Sequence, residues 1–244
     1  MDIAKAQNRA GDTAGAASTI KQAQELGDQL ASSEKDILLQ FLSGLQAEVG
    51  DFEAATKSAG RISDAGAGEY KLEAFSTIAV FEAEAGKYED GLALSDRIKR
   101  YHSRDNILPD MLFKSTIFRM ATALTNRGKP DLALSVLKSA NDPADFVTQK
   151  EHNLVALYAT LKSGDVNGAR KFLADPKGLY LGSDTEAAGF RVFTALALEQ
   201  GKKPEAVAFS ENLPVGVAKA MAYIGLAQAL VHPVEIPNAE YYFH

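Results

Sequence analysis

The chain has 244 residues, 46% of them hydrophobic and 24% charged, a composition typical of a folded globular protein. Its net charge of −6 disfavours binding to nucleic-acid phosphates or to anionic lipid, since both depend on Lys and Arg. The absence of cysteine excludes disulfides, thiolate nucleophiles and cysteine-ligated metal sites.

Six similar junctions recur along the chain. Each has a glycine followed by Asp or Lys, a short polar stretch and an alanine-rich run, as in GKYEDGLALS. The spacings between successive glycines are 39, 36, 42, 36 and 37 residues, and such a period is typical of stacked-repeat proteins. The glycines are Gly11, Gly50, Gly86, Gly128, Gly164 and Gly201.

Each junction separates two stretches with the helical period. Before Gly86, for example, Leu72, Phe75 and Ile78 share one apolar helix face. A glycine after a helix adopts the left-handed conformation without steric cost, so it is a favoured helix end. The Ser33–Asp36 spacing predicts one helix start with a capping box. No segment alternates as a strand would, and the sequence predicts helix–turn–helix units throughout.

In chain order, these units predict about 13 helices in one domain over residues 1–230. The first helix is short, as expected of an N-terminal cap or of a chain that begins inside a longer protein. The last runs from about Pro214 to Leu230. Pro233 and Pro237 then stop helix formation, so 231–244 is expected to be an extended tail. Its aromatic residues 241–243 are expected to pack on the last helix or to dock into another protein.

The residues Gly50–Ala55 and Gly86–Gly91 resemble the turn into the second helix of tetratricopeptide repeats, although the spacings exceed the 34 residues of that family. The family's small residue at a close helix crossing is matched five positions after each glycine by Ala55, Gly91, Ala133, Ala169 and Ala206. The resemblance implies an all-α fold, a right-handed α-α superhelix of about six to seven repeats. It also implies a concave face, formed by the first helix of each repeat, that binds extended peptides or partner helices.

The resemblance further implies which positions face a partner, by their offset from each glycine. These are Gln40, Glu48, Glu84, Phe118, Asn126, Tyr158, Lys162, Arg191 and Glu199. We therefore expect a non-enzymatic scaffold that binds a protein or peptide. The alternatives are a structural subunit that assembles through its ends or its aromatic tail, or, less favoured, an enzyme on an all-α superhelix.

Motifs for nucleotide binding, serine hydrolysis or zinc proteolysis do not occur, and the four histidines are far apart in sequence. The sequence predicts no catalytic residue, cofactor or metal site, no nucleic-acid partner and no membrane insertion. A cytoplasmic location is the default expectation, with a periplasmic one after removal of a signal peptide as the alternative. A basic cluster from Arg97 to Arg104 is interpreted either as cations at a helix C-terminus or as a contact for an acidic partner.

Overall fold

The structure is a computed structural model that describes residues 2–64, 68–101, 107–140, 146–174 and 183–231. It is all-α, as predicted, with thirteen α-helices and no strand among the described residues. The chain divides into two compact units, Met1–Met120 and Ala121–His244, and the boundary falls within one helix.

The first unit contains six complete helices and the start of a seventh. The helices are α1 (Asp2–Arg9), α2 (Thr13–Gly27), α3 (Ser32–Glu48), α4 (Phe52–Gly60), α5 (Glu69–Glu84), α6 (Tyr88–Lys99) and α7 (Ile107–Asn126). From α1 to α6 each helix packs against the next, and α3 also packs against α5.

The second unit begins within α7 and contains six further helices. These are α8 (Pro130–Leu137), α9 (Phe146–Lys162), α10 (Val166–Ala174), α11 (Ser183–Glu199), α12 (Lys203–Asn212) and α13 (Val217–Val231), and a 3-10 turn at Lys138–Ala140 follows α8. From α8 to α13 successive helices pack together, and in addition α9 packs against α11 and α11 against α13.

All six junction glycines end a helix in the left-handed conformation, with φ between 72° and 87°. At each one two backbone hydrogen bonds close the helix end. At Gly50, for instance, the glycine N–H donates to Ala47 O at 3.0 Å and the Asp51 N–H donates to Gln46 O at 2.8 Å. These i→i−3 and i→i−5 bonds define a Schellman motif and satisfy carbonyls that a helix end would leave unpaired. The prediction of glycine helix ends is confirmed.

The residue after each glycine starts the next helix in one of two ways. Asp12, Asp51 and Asp165 each accept a hydrogen bond from a backbone N–H three residues on, at 2.8–3.1 Å. The other three junctions have Lys at this position, which makes no side-chain cap. Their helices carry Asp or Glu in the first turn instead, which offsets the positive end of the helix dipole.

The small residues five positions after the glycines are buried at close helix contacts. Ala55, Ala133, Ala169 and Ala206 are 0% exposed, as is Ala16 in the first junction. At Gly91, the equivalent residue in α6, a Cβ atom would lie 2.6 Å from the carbonyl oxygen of Ala79 in α5. The predicted burial of these positions is confirmed, and at Gly91 the space excludes even a methyl group.

The prediction of a capping box at Ser33–Asp36 is wrong. The N-cap of α3 is Ala31, which makes no side-chain hydrogen bond. Asp36 is buried and accepts hydrogen bonds from both the backbone N–H and the hydroxyl of Ser63, in the connection after α4. Beyond α13, the predicted tail and its aromatic cluster at 241–243 lie outside the described residues.

A Gly91→Ala substitution tests the close contact between α5 and α6. Although alanine favours a helix, we expect it to destabilise the protein by about 1–3 kcal/mol, because the new methyl group meets a backbone carbonyl. Gly44→Ala in α3 is the matched control, since its Cβ would lie 3.5 Å from Thr77 Cγ2, an ordinary contact. The control should stabilise by up to about 1 kcal/mol. Equal denaturation midpoints for the two variants would contradict this account of the packing.

Candidate functional site

Most residues predicted to face a partner contact a neighbouring first helix. In the first unit, the Gln40 side-chain amide of α3 donates to the Glu73 carboxylate of α5. Glu48 lies 3.6 Å from Lys5 Nζ of α1, and its carbonyl accepts from Asn8 Nδ2 at 3.4 Å. These polar side chains therefore link α1 to α3 and α3 to α5.

The second unit repeats this arrangement across α7, α9 and α11. Tyr158 Oη donates to Asn126 Oδ1 at 2.6 Å, and Lys162 Nζ lies 3.5 Å from Glu199 Oε2. Lys162 Nζ also lies 5.7 Å from the centroid of the Tyr158 ring. Four residues chosen from their offsets are thus brought together as one polar chain along three helices.

Phe118 and Tyr158 are each only 1% exposed. Tyr158 belongs to the hydrophobic core of the second unit, packed with Leu157, Phe193 and Leu196. In this arrangement neither ring is accessible to a partner. Glu84 and Arg191 are half-buried, and a Cβ atom at Gly225 of α13 would clash with the Arg191 carbonyl oxygen.

An exposed apolar surface lies beside these links on α3 and α5, and the sequence reasoning missed it. Ile37, Phe41 and Tyr70 are 39%, 53% and 40% exposed. The pairs Gln40–Glu73 and Gly44–Thr77 align the two helices with an offset of 33 residues, which places Tyr70 opposite Ile37. We call these three residues the α3/α5 patch. Its sequence signal is the Ile37–Phe41 spacing of one helical turn, on a face that the core leucines of α3 do not use.

Acidic side chains border the α3/α5 patch. Glu34 lies one turn before Ile37, and Glu73 lies one turn after Tyr70. The lysines next to it in sequence are paired with carboxylates, Lys35 with Asp28 at 3.4 Å and Lys71 with Asp64 at 2.6 Å. The patch therefore combines exposed apolar area with a negative border.

A second polar feature is a cleft of about 320 Å³ between α2, α3 and α4. Thr13, Lys21, Gln24, Gln46 and Asp51 supply its polar lining. Gln46 is 5% exposed, and its Oε1 is buried without a hydrogen-bond partner in the protein. Ala17, Ile20, Val49 and Ala54 complete the lining, so the cleft is about equally polar and apolar.

Glu82 occupies the position of Gln46 in the next repeat, four residues before the junction glycine, and is 6% exposed. Its Oε2 is buried without a hydrogen-bond partner. Burial, and after it the carboxylate of Asp90, raises the pKa of Glu82 from 4.5 to about 7, against the lowering effect of Lys87. The desolvated carboxylate therefore disfavours the folded state when it is charged.

The start of the basic cluster covers aromatic rings of the first unit. Arg97 Cζ lies 4.3 Å from the centroid of the Phe75 ring, and Lys99 Nζ lies 4.8 Å from that of Phe113. Such contacts are attractive because the ring face is negative. These two cations therefore have an intramolecular role, while residues 102–106 lie outside the described part of the chain.

Among the described residues, no three or more His, Cys, Asp or Glu side chains cluster as a metal site would require. None of the described helices is both long and apolar enough to cross a membrane. Comparisons with family models, with curated proteins and with solved structures found no match to the chain.

A Glu82→Gln substitution tests the buried carboxylate. Because the pKa of Glu82 is higher in the folded than in the unfolded chain, the wild type loses stability as the pH rises from about 4.5 to about 7. The variant should be more stable than the wild type by about 1–3 kcal/mol at pH 8 and show little difference at pH 4, in chemical denaturation. Glu25→Gln, at an exposed residue, is the control. A gain that is equal at both pH values would argue against this explanation.

Two substitutions at Tyr158 separate its packing from its hydrogen bond. Tyr158→Phe removes the hydrogen bond to Asn126 and should lower the free energy of unfolding by about 0.5–1.5 kcal/mol. Tyr158→Ala also leaves a cavity in the core and should lower it by about 3–5 kcal/mol. Tyr70→Phe, at a tyrosine that is 40% exposed, should change stability by less than about 0.5 kcal/mol. Thermal and urea unfolding measure all three, and a nearly silent Tyr158→Ala would place the residue outside the core.

Proposed function

We propose that the protein is a non-enzymatic interaction scaffold whose α3/α5 patch binds a segment of a partner protein. The segment carries large apolar side chains with Lys or Arg between them. The observation that carries this proposal is the exposure of Ile37, Phe41 and Tyr70 together on two adjacent helices.

The apolar part of the patch supplies the binding energy. A few well-buried aromatic and aliphatic anchors carry most of the free energy at protein interfaces. Phe41 is the most exposed residue of the patch, at 53%, and lies one turn from Ile37. A partner side chain packed on Phe41 and Tyr70 would remove apolar surface of both helices from water.

The charge of the surroundings selects the partner. Glu34 and Glu73 border the patch, the neighbouring lysines are held by Asp28 and Asp64, and the whole chain carries a net charge of −6. Complementary charge steers association and disfavours acidic partners. A basic, apolar segment therefore fits this surface better than an acidic one.

The recurrence of helix, left-handed glycine and helix along both units supports the wider proposal of a helical-repeat protein. We propose that the repeats form a right-handed superhelix similar to that of tetratricopeptide-repeat proteins. In such architectures repeats contact chiefly their neighbours and present extended surfaces to partners.

Binding of a fluorescent synthetic peptide tests the proposal directly. The probe is an amphipathic peptide of leucine and lysine with about four helical turns, and its counterpart has glutamate in place of lysine. We expect the leucine–lysine peptide to bind more tightly, and added salt to weaken its binding. Phe41→Ala should reduce its affinity about 5- to 30-fold in fluorescence anisotropy.

Leu26→Ala is the matched control, because Leu26 is an apolar residue of the same unit, 67% exposed, on α2. It should leave the affinity unchanged, and circular dichroism should show both variants folded. Equal losses for Phe41→Ala and Leu26→Ala, or equal binding of the two peptides, would overturn the proposal.

A further inference from the structure

The last described helix, α13, carries an apolar stripe that the described residues leave uncovered. Val217, Ile224 and Val231 are 68%, 45% and 70% exposed and lie seven residues apart. Ala220 and Ala227, three residues after the first two, are also exposed. This is the a and d spacing of a coiled-coil seam, with β-branched residues at every a position.

The opposite side of α13 is occupied within the second unit. Ala222 and Gly225 are the buried residues of this helix, and they face α11. Thr194 Oγ1 of α11 donates to Ala222 O at 2.7 Å, and a Cβ at Gly225 would clash with the backbone of Arg191. Because α11 holds α13 through this side, the exposed stripe points away from the unit.

Charge is absent from the seam and its flanks. The flanking positions of the heptad hold Met221, Tyr223, Gln228 and Leu230, and Lys219 lies elsewhere on the helix, where its Nζ donates to Glu211 O. A helix with this pattern meets its own copy without like-charge repulsion. An acidic or basic partner would find no complementary charge here.

We propose that a second copy of the chain packs along this stripe, with the two α13 helices parallel about a two-fold axis. A two-fold contact uses the same surface on both copies and closes as a dimer. β-Branched side chains at the a positions of a heptad are typical of two-stranded parallel coiled coils, and the d positions here hold Ala220 and Ala227 in place of leucine. This inference is independent of peptide binding at the α3/α5 patch.

Sedimentation equilibrium of the full chain over a concentration series tests the dimer. The wild type should shift from the 26.1 kDa monomer toward twice that mass as the concentration rises. Ile224→Lys places two charges in the seam and should raise the dissociation constant at least about 10-fold. Leu26→Lys, the same change at an exposed apolar residue of the other unit, should leave it unchanged. Val231→Lys at the helix end repeats the test with less risk to the fold.

Cysteine cross-linking tests the orientation, since the natural chain has no cysteine. In a parallel seam each a residue faces its own copy, so Val217→Cys and Val231→Cys should each form a disulfide dimer on oxidation. An antiparallel pair would instead cross-link only a mixture of the two variants, which would overturn the parallel arrangement.

Two outcomes would overturn the dimer itself. One is a wild type that stays monomeric throughout the series. If a variant without residues 232–244 then dimerises, the stripe is covered by the chain's own C-terminal segment and not by a second copy. The other is a wild-type dimer that Ile224→Lys and Val231→Lys leave intact while both variants remain folded by circular dichroism.

Discussion

The left-handed glycine at each junction is the constraint on which the remaining structure depends. It reverses the chain within two residues, and its two backbone hydrogen bonds satisfy the end of the first helix. The second helix then starts so close to the first that only a small residue fits five positions later. Ala55 and Ala133 are fully buried there, and Gly91 leaves no room for a methyl group. The glycine turn and the close crossing of the two helices that it joins therefore depend on each other.

Polar side chains of the first helices join one such unit to the next. Gln40 with Glu73 makes such a link near the middle of α3, and Lys162 with Glu199 makes one at the C-terminal ends of α9 and α11. Each link satisfies polar groups between packed helices, so its value lies as much in avoiding unpaired groups as in attraction. Glu82 departs from this pattern, because its buried oxygen has no partner and its pKa is raised to about 7.

The surfaces left for interaction are those that these links and crossings do not use. On α3 the core leucines face inward, and Ile37 and Phe41 are exposed beside Tyr70. On α13 the small residues face α11, and Val217, Ile224 and Val231 are exposed. The first surface is bordered by carboxylates, whereas the second lacks charge. This difference is the reason we propose a basic partner segment for one and a second copy for the other.

The all-α class, the junction glycines and the buried small residues followed from the sequence, because helix period, helix ends and close crossings depend on residues within one repeat. The roles of polar and aromatic side chains did not follow from the sequence. Asp36 looked like part of a capping box and binds Ser63, and Tyr158 looked like a groove residue and lies in the core. The exposed Ile37 and Phe41 resembled core residues by type. Tertiary structure decided these cases, because the partner and the exposure of a side chain depend on which segment lies beside it. For Asp36 and Tyr158 that segment is more than twenty residues away in the chain.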